Sequence, residues 1–384
     1  MRFWRKRKIH DYAVELLTRL LNIYSPSEKE EAISSFLAKE MENLGFHVHI
    51  DDVGNIIGEI GQGKPVVLLC GHMDTVAGFI PVRIENNRLY GRGAVDAKGS
   101  LAAMIVASHA LFKEGLPAKI LVVGVVDEEG SSKGIKHLVN EGLSADYAIF
   151  GEPSGVERIT IGYKGSLHLK ITCKTQTGHA AAPWLYENAI EKAFELWKEI
   201  KNFKLPQEKT ESHFYSITSC LVKVNGGKVA STVPAKCNMH LDIRFPPQYE
   251  SLQVFDEINN IIKQYKHANP KVSVEVKIED LTDPFEADES SSLIRALCWA
   301  IRKVKHKQPI LLRKTGTGDI NILGRVMKIP IVTYGPGDSH LDHTPKENIS
   351  IQEYLDSIQV YREAIKKLAK MYQTEQKVDN ASKA

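Results

Sequence analysis

Cysteine is scarce in this chain, and what there is follows no pairing pattern. The 384 residues hold five cysteines: Cys70, Cys173, Cys220, Cys237 and Cys298. They are odd in number and dispersed, with no Cys-x-x-Cys pair, which argues against a disulfide framework and a cysteine-built structural zinc site. Cys70, two residues before His72, reads as a buried core thiol. Long apolar runs are missing too. None approaches the roughly 20 residues that a membrane helix needs, so no membrane partner is expected. The basic start, Met1 to Lys8, is followed by apolar residues at helical spacing among charges from Ile9 to Ile23. That is no signal peptide, and a cytoplasmic protein is expected. Charge of one sign is also lacking. A net +3 is too small to make nucleic acid the main partner. No internal repeat is visible. What remains is 43% hydrophobic and 25% charged, an ordinary soluble composition, long enough for two domains or one domain with an insertion.

Two amphipathic helices are expected between His10 and Gly45, split at Ser25-Pro26-Ser27. Ser27 followed by Glu30 suggests a capping box opening the second. A hairpin around Asp52-Val53-Gly54-Asn55 leads to the short apolar run Val66–Cys70, the mark of a strand covered on both faces. Ser100 to Leu111 reads as a helix apolar nearly all round. Further strands are expected at 120–126 and 147–150, with a helix at 135–140 between them. Strands alternating with helices predict α/β architecture with a mostly parallel sheet. Near Ile161 the texture changes to strictly alternating strands at 167–173, 216–224, 236–244 and 272–278, with helices at 189–200 and 252–265. That is an open-faced α+β layer, placed as an insertion at 162–282. Residues 1–161 and 283–384 would form the first domain, with a helix at 292–304, a last strand at 331–334 and a closing helix at 351–371. The polar end, 373–384, is expected to fray.

Asp127-Glu128-Glu129 stands directly after the apolar strand 120–126. Adjacent carboxylates repel, and burial raises their pKa unless a cation sits among them. The triplet is therefore either a solvated turn or the wall of a metal site. The neighbouring strand ends decide for the metal. His72 and Asp74 follow one strand and Glu152 follows another. Asp96 sits on a glycine-flanked turn before a helix, and a loop Gly335–His343 follows the last strand. In an open α/β sheet such ends converge on one crevice. Imidazoles with carboxylates suit Zn²⁺, Co²⁺ or Mn²⁺, a shared carboxylate can bridge two ions, and one carboxylate must stay off them to act as base. Gly91-x-Gly93 is no dinucleotide fingerprint, because Asp96 stands where the third glycine belongs.

These residues resemble a known family. Gly71-His72-Met73-Asp74-Thr75-Val76, Gly91-Arg92-Gly93-Ala94-Val95-Asp96-Ala97-Lys98-Gly99, Asp127-Glu128-Glu129-Gly130, Gly151-Glu152-Pro153-Ser154 and His343 together resemble the M20 metallopeptidases and deacylases. The resemblance implies a zinc-exopeptidase-like catalytic domain with an inserted lid and dimerisation domain. It implies two divalent ions held by His72, Glu152 and His343, with Asp96 bridging and Glu129 completing one site. Glu128 would be the general base, and Asp74 would orient His72. Thr177-Gly178-His179-Ala180-Ala181-Ala182-Pro183 resembles the lid segment whose histidine polarises the scissile carbonyl in the partner subunit's site. Arg244 matches the arginine that grips a substrate carboxylate. Ser231 stands where relatives often place an asparagine of the oxyanion site, a departure from the pattern.

Two further stretches, Leu312 to Leu323 and Tyr334 to Thr344, are similar to one subgroup, the amino-group carrier protein lysine/ornithine hydrolases. That similarity implies cleavage of lysine or ornithine from the γ-carboxyl of an acidic carrier protein's terminal glutamate, with Lys314, Gly316 and Thr317 near the substrate. The alternatives are acetylornithine deacetylase, succinyl-diaminopimelate desuccinylase, a small carboxypeptidase or dipeptidase, and, more remotely, a non-catalytic metal- or amino-acid-binding protein. Between Glu289 and Asp319 the chain has no acidic residue but seven basic ones: Arg295, Arg302, Lys303, Lys305, Lys307, Arg313 and Lys314. They are either a solvated face or a patch that steers an acidic carrier, with Arg313 or Lys314 near its terminal glutamate.

Overall fold

The computed structural model describes residues 2–206 and 211–382. The chain divides into two compact units. The first comprises 1–161, 287–312 and 322–384, and the second 162–286 and 313–321.

Apolar runs too short for helices form the first unit's sheet. Its strands lie in the order His47–Ile50, Ile56–Gly61, Lys119–Val125, Val66–His72, Tyr147–Phe150, Ile331–Thr333 and Arg158–Tyr163. The four strands from Lys119–Val125 to Ile331–Thr333 are mutually parallel, with antiparallel strands flanking them. Central parallel strands are covered on both faces, and these are: Val67, Leu68, Leu69 and Cys70 are fully buried, as are Val122, Val123 and Val125. Register aligns His72 with Val125 and Cys70 with Phe150, so the residues after those strands leave the sheet side by side.

The helix Lys98–Lys113 is buried on every side, including Leu101, Met104, Ile105 and Leu111. A truncation there, such as Leu101→Ala, would cost about 2–5 kcal/mol. The closing helix, Ile351–Ser382, runs well past Met371, so the expected fraying gives way to helix; Lys383 and Ala384 lie outside the described residues. Its buried tyrosines are satisfied: Tyr354 donates to the Ala13 carbonyl at 3.0 Å and Tyr361 to that of Tyr334 at 2.5 Å. No helix among the described residues is long and apolar enough to cross a membrane.

The second unit is a four-stranded antiparallel sheet, in the order Thr218–Gly226, Lys236–Phe245, Gly165–Lys174 and Ser273–Thr282. Leu167, Leu169, Ile171, Met239, Leu241 and Ile243 form one core with the buried faces of helices Ala189–Asn202 and Ser251–Ala268. The alternate residues His168, Lys170, His240, Asp242 and Arg244 are only half-buried. This unit is larger than the insertion expected at 162–282. Phe285–Glu286 pairs with Gly162 and Tyr163. The segment 313–321, which the sequence reading leaves in the first domain, joins it as well. There Arg313 donates to Glu286 at 2.6 Å, and Asn321 donates to the carbonyls of Lys164 at 3.1 Å and Asp283 at 2.8 Å.

Candidate metal centre

Each of the four parallel strands delivers chemistry at its carboxyl end. His72 is the last residue of its strand and is fully buried. Its Nδ1 lies 2.9 Å from the backbone carbonyl of Asp74, which it can donate to. That contact leaves Nε2 aimed at Asp96 Oδ1, 3.1 Å away, and Glu152 Oε1, 3.5 Å away. The Asp74 carboxylate, expected to orient His72, is the more distant partner at 3.5 Å. It is occupied elsewhere. Oδ1 accepts the Glu128 N–H and Oδ2 the Glu129 N–H, both at 3.1 Å, and Oδ2 also accepts the Ser27 hydroxyl at 2.7 Å.

The three acidic residues of the turn therefore divide by role. Asp127 is buried with φ +60°, a left-handed conformation uncommon for a non-glycine residue. Its Oδ2 accepts from the Ser131 hydroxyl at 2.6 Å and N–H at 3.1 Å, and its own N–H donates to Glu30 at 3.0 Å. Gly130 is needed beside it, because a Cβ there would stand 2.2 Å from Asp127 Oδ1. Asp127 folds the turn, and Glu128 and Glu129 project from it. Ligand-type atoms of His72, Glu128 and Glu152 lie within 4.8 Å of one another, and so do those of His72, Asp96 and Glu129.

Asp96 is gripped through its main chain. Glu347, fully buried, accepts the Val95 N–H at 2.9 Å and the Asp96 N–H at 3.1 Å through one oxygen; the other meets Arg92 at 2.8 Å. His343 closes the ring from the loop after the last parallel strand, its Nε2 3.0 Å from Asp96 Oδ2 and 2.9 Å from Glu129 Oε1. Like Asp127 it is left-handed, with φ +59°. Glu347, Arg92, Ser27 and Glu30 were not singled out as site residues in the sequence. The spacing of Glu347 from His343 is the one local signal that could have found it.

Carboxylates outnumber imidazoles here, and protonation follows. Burial opposes a charged His72, but Asp74, Asp96 and the charges of Glu152 and Glu128 outweigh it and hold its pKa well above the usual value. Hydrogen bonding to Asp96 lifts His343 to about 9. Burial, reinforced by repulsion from Asp96, lifts Glu129 to about 7. Asp96 is buried too, yet its two histidines hold it far below the carboxylate range. Without a cation the cluster thus retains protons at neutral pH. Closely packed N and O donors that must otherwise hold protons are what a pair of borderline divalent ions would serve, so the residues fit the expected metals.

The remaining candidates belong to the second unit. His179 is exposed, and its Nδ1 accepts the Ala181 N–H at 3.0 Å, which puts the ring proton on Nε2 and makes it an outward donor. Ser231, also exposed, accepts the Ala180 N–H on its carbonyl at 2.9 Å, beside His179. Arg244 is clamped by Asp242, at 2.7 Å through Nε and 3.0 Å through Nη2, while Nη1 donates to Thr317 at 3.1 Å. An incoming carboxylate would have to share the guanidinium with Asp242. Lys314 accepts the Lys164 N–H on its carbonyl at 3.3 Å, and, chain neighbours aside, no described residue lies within 4 Å of where a Cβ on Gly316 would be.

The basic run is not the uncompensated patch that its sequence suggests. Lys303 meets Glu363 at 2.6 Å, Lys305 meets Asp356, Lys307 meets Glu157 at 2.8 Å, and Arg313 meets Glu286. Its counter-charges come from distant segments, which a local count misses.

Comparison with known proteins follows the same line. The model of Peptidase family M20/M25/M40 matches residues 68–367. A Pyrococcus furiosus protein, provisionally named LysW-lysine/LysW-ornithine hydrolase, is 41% identical over 357 residues, 93% of this chain and 97% of its own. A Sulfurisphaera tokodaii protein with that name is 36% identical over 358 residues, 92% of this chain and 95% of its own. Among solved structures, the Bacillus subtilis YXEP protein, a dinuclear metal binding peptidase from the M20 family, superposes with a TM-score of 0.72 at 14% identity. The match covers 94% of this chain and 98% of that one.

Proposed function

The chain belongs to peptidase family M20/M25/M40, and from that premise we propose that it releases lysine, ornithine or both from a carrier protein in amino-acid biosynthesis. The bond cut is the amide to the γ-carboxyl of the carrier's terminal glutamate. The observation that carries the reading is the convergence of His72, Asp96, Glu129, Glu152 and His343, with Glu128 beside His72 and Glu152. The names of relatives matched over nearly their whole length support the substrate.

In this reading His72, Asp96, Glu129, Glu152 and His343 hold two divalent ions, Zn²⁺ or Co²⁺, with Mn²⁺ also suited. When bound, the ions supply Lewis acidity to the amide carbonyl and to the attacking water. Glu128, on the same turn as Glu129, takes the proton from the water and delivers it to the departing amine. Asp74 keeps that turn in place, and its carbonyl fixes the His72 tautomer that leaves Nε2, on the side of Asp96 and Glu152, as the atom that would bind metal. His179 donates its Nε2–H to the carbonyl oxygen as charge develops there. Arg244, beside Thr317 and near Lys314 and Gly316, receives the α-carboxylate of the amino acid released.

The lid of one subunit serving its partner calls for a homodimer formed through the second unit. Trp184 and Leu185, 79% and 64% exposed, follow His179, and the edge strand Thr218–Gly226 leaves Val222 exposed; both support such contacts. The cytoplasm is where such a carrier would be met.

The test is a rate comparison. Metal-loaded protein is incubated with carrier-linked lysine, carrier-linked ornithine, acetylornithine and succinyl-diaminopimelate, and the released amino acid is quantified. A kcat/KM for either carrier-linked substrate at least about tenfold above both small amides is expected. Faster cleavage of a small amide would replace the carrier reading with that of a deacylase. Mixing His179→Ala and Glu128→Gln subunits, each inactive, should restore partial activity after exchange; no recovery would place the whole site in one chain.

A further inference from the structure

Ser27 and Glu30 have the spacing of a capping box, yet they cap no helix. The helix begins at Glu31 without a side-chain cap. The Ser27 side chain turns instead to Asp74, and that of Glu30 to the acidic turn about a hundred residues later in the chain. The Ser27 hydroxyl donates to Asp74 Oδ2 at 2.7 Å, the same oxygen that accepts the Glu129 N–H. Glu30, 5% exposed, accepts the Asp127 N–H at 3.0 Å and the Glu28 N–H at 3.1 Å through one oxygen. The segment carrying them is laid along the loop after His72. Thr75 N–H donates to the Ser25 carbonyl at 3.0 Å, Ser27 N–H returns to the Thr75 carbonyl at 3.3 Å, and the Ser25 hydroxyl donates to the Met73 carbonyl at 2.9 Å.

We propose that Ser27 and Glu30 are positioning residues for the hydrolytic turn. Ser27, through Asp74, sets the main chain at Glu128 and Glu129, and Glu30 sets it at Asp127. The inference rests on the assignment of Glu128 as base and Glu129 as ligand. Its physical ground is the chain of hydrogen bonds. The Asp74 carboxylate must hold two consecutive N–H groups in one plane, and a third donor on Oδ2 restricts its rotation. Glu30 does the same for the left-handed residue that aims the turn. Misplacement of catalytic groups by about 1 Å can cost 10²-fold in rate. Both act through Asp74 and Asp127, so their role is positioning.

Four variants test this: Ser27→Ala, Ser27→Thr, Glu30→Leu, and Leu37→Ala as a control that loosens the same helix from the core without reaching the turn. Metal-free protein is titrated with Co²⁺ and followed by visible absorption; Co²⁺-loaded protein is then assayed. Ser27→Ala is expected to weaken Co²⁺ binding and to lower kcat by about 10–100-fold, with KM within about twofold and an altered Co²⁺ spectrum. Ser27→Thr, which keeps the hydroxyl, should recover most of both. Glu30→Leu should behave as Ser27→Ala does, and if one of the two fails to fold, the other decides. Leu37→Ala should lower Tm while leaving spectrum and kcat alone. The proposal is overturned if Ser27→Ala keeps the wild-type Co²⁺ affinity and spectrum, if Ser27→Thr loses as much, or if Leu37→Ala reproduces the effect. The titration needs no substrate. A wild-type protein that cleaves no carrier-linked amide therefore refutes the proposed function and leaves this question decidable.

Discussion

Replacing Glu347 by glutamine keeps the shape of the side chain and removes one charge from a buried ion pair. The partners are almost completely enclosed: the side chain of Arg92 is 8% exposed and that of Glu347 1%. In the wild type one carboxylate oxygen takes two backbone N–H groups, those of Val95 and Asp96, and the other takes Arg92. A glutamine cannot do both. Its NH₂ must face either the guanidinium or the two amides, donor against donor. Removing one member of a buried pair costs about 3–5 kcal/mol, because the other charge stays behind in an apolar setting. For a unit of this size each kcal/mol moves Tm by about 2–4 °C, so a loss of about 10 °C is expected for metal-free protein. Chemical denaturation of metal-free Glu347→Gln, Arg92→Met and the double variant gives the cycle. The double variant should be less destabilised than the sum of the singles, with a coupling above about 1.5 kcal/mol. Metal should also stabilise Glu347→Gln less than wild type, since the grip on the main chain at Asp96 is weakened. A single-variant loss below about 1 kcal/mol, or strict additivity, would refute the argument that Glu347 anchors Asp96.

Other consequences can be checked separately. Glu128→Gln should retain its metal content while turnover falls by about 10²–10⁴, whereas Glu129→Gln should lose metal as well, both read by elemental analysis and single-turnover rates; a Glu128→Gln rate above about a tenth of wild type would remove it as base. Metal uptake at pH 7.5 should release protons, because His343 titrates at about 9 and Glu129 at about 7 in the metal-free cluster and both must bind metal deprotonated. Apparent affinity should therefore rise with pH until both His343 and His72 are already neutral, and calorimetry in buffers of different ionisation enthalpy that detects no release would contradict this. Reversing Lys303, Lys305 and Lys307 to Glu should lower Tm through their lost partners Glu363, Asp356 and Glu157. It should leave the salt dependence of kcat/KM with carrier-linked substrate nearly unchanged; a KM that rises mainly at low salt would revive the steering patch.

The sequence by itself determined what depends on local pattern. Short apolar runs such as Val66–Cys70 and Ile120–Val126 suit covered strands, and alternating runs such as Leu167–Cys173 suit strands with one face buried. Those periodicities carry the α/β sheet, the α+β layer and the strand-end position of His72, Glu128, Glu129 and Glu152. Long-range neighbours leave no such trace. The counter-charges of the basic run come from Glu157, Glu286, Asp356 and Glu363, and nothing near residue 303 announces them. Ser27 and Glu30 satisfy a helix-capping pattern, yet in the fold their oxygens have closer claims from Asp74 and Asp127. The same holds for the boundary of the second unit, which takes in 313–321 because Asn321 and Arg313 find their partners there. Which residues can line a metal site was written in strand order and side-chain chemistry. Which groups hold them still was decided only when segments far apart in the chain met, because a buried donor takes the acceptor that is nearest in space.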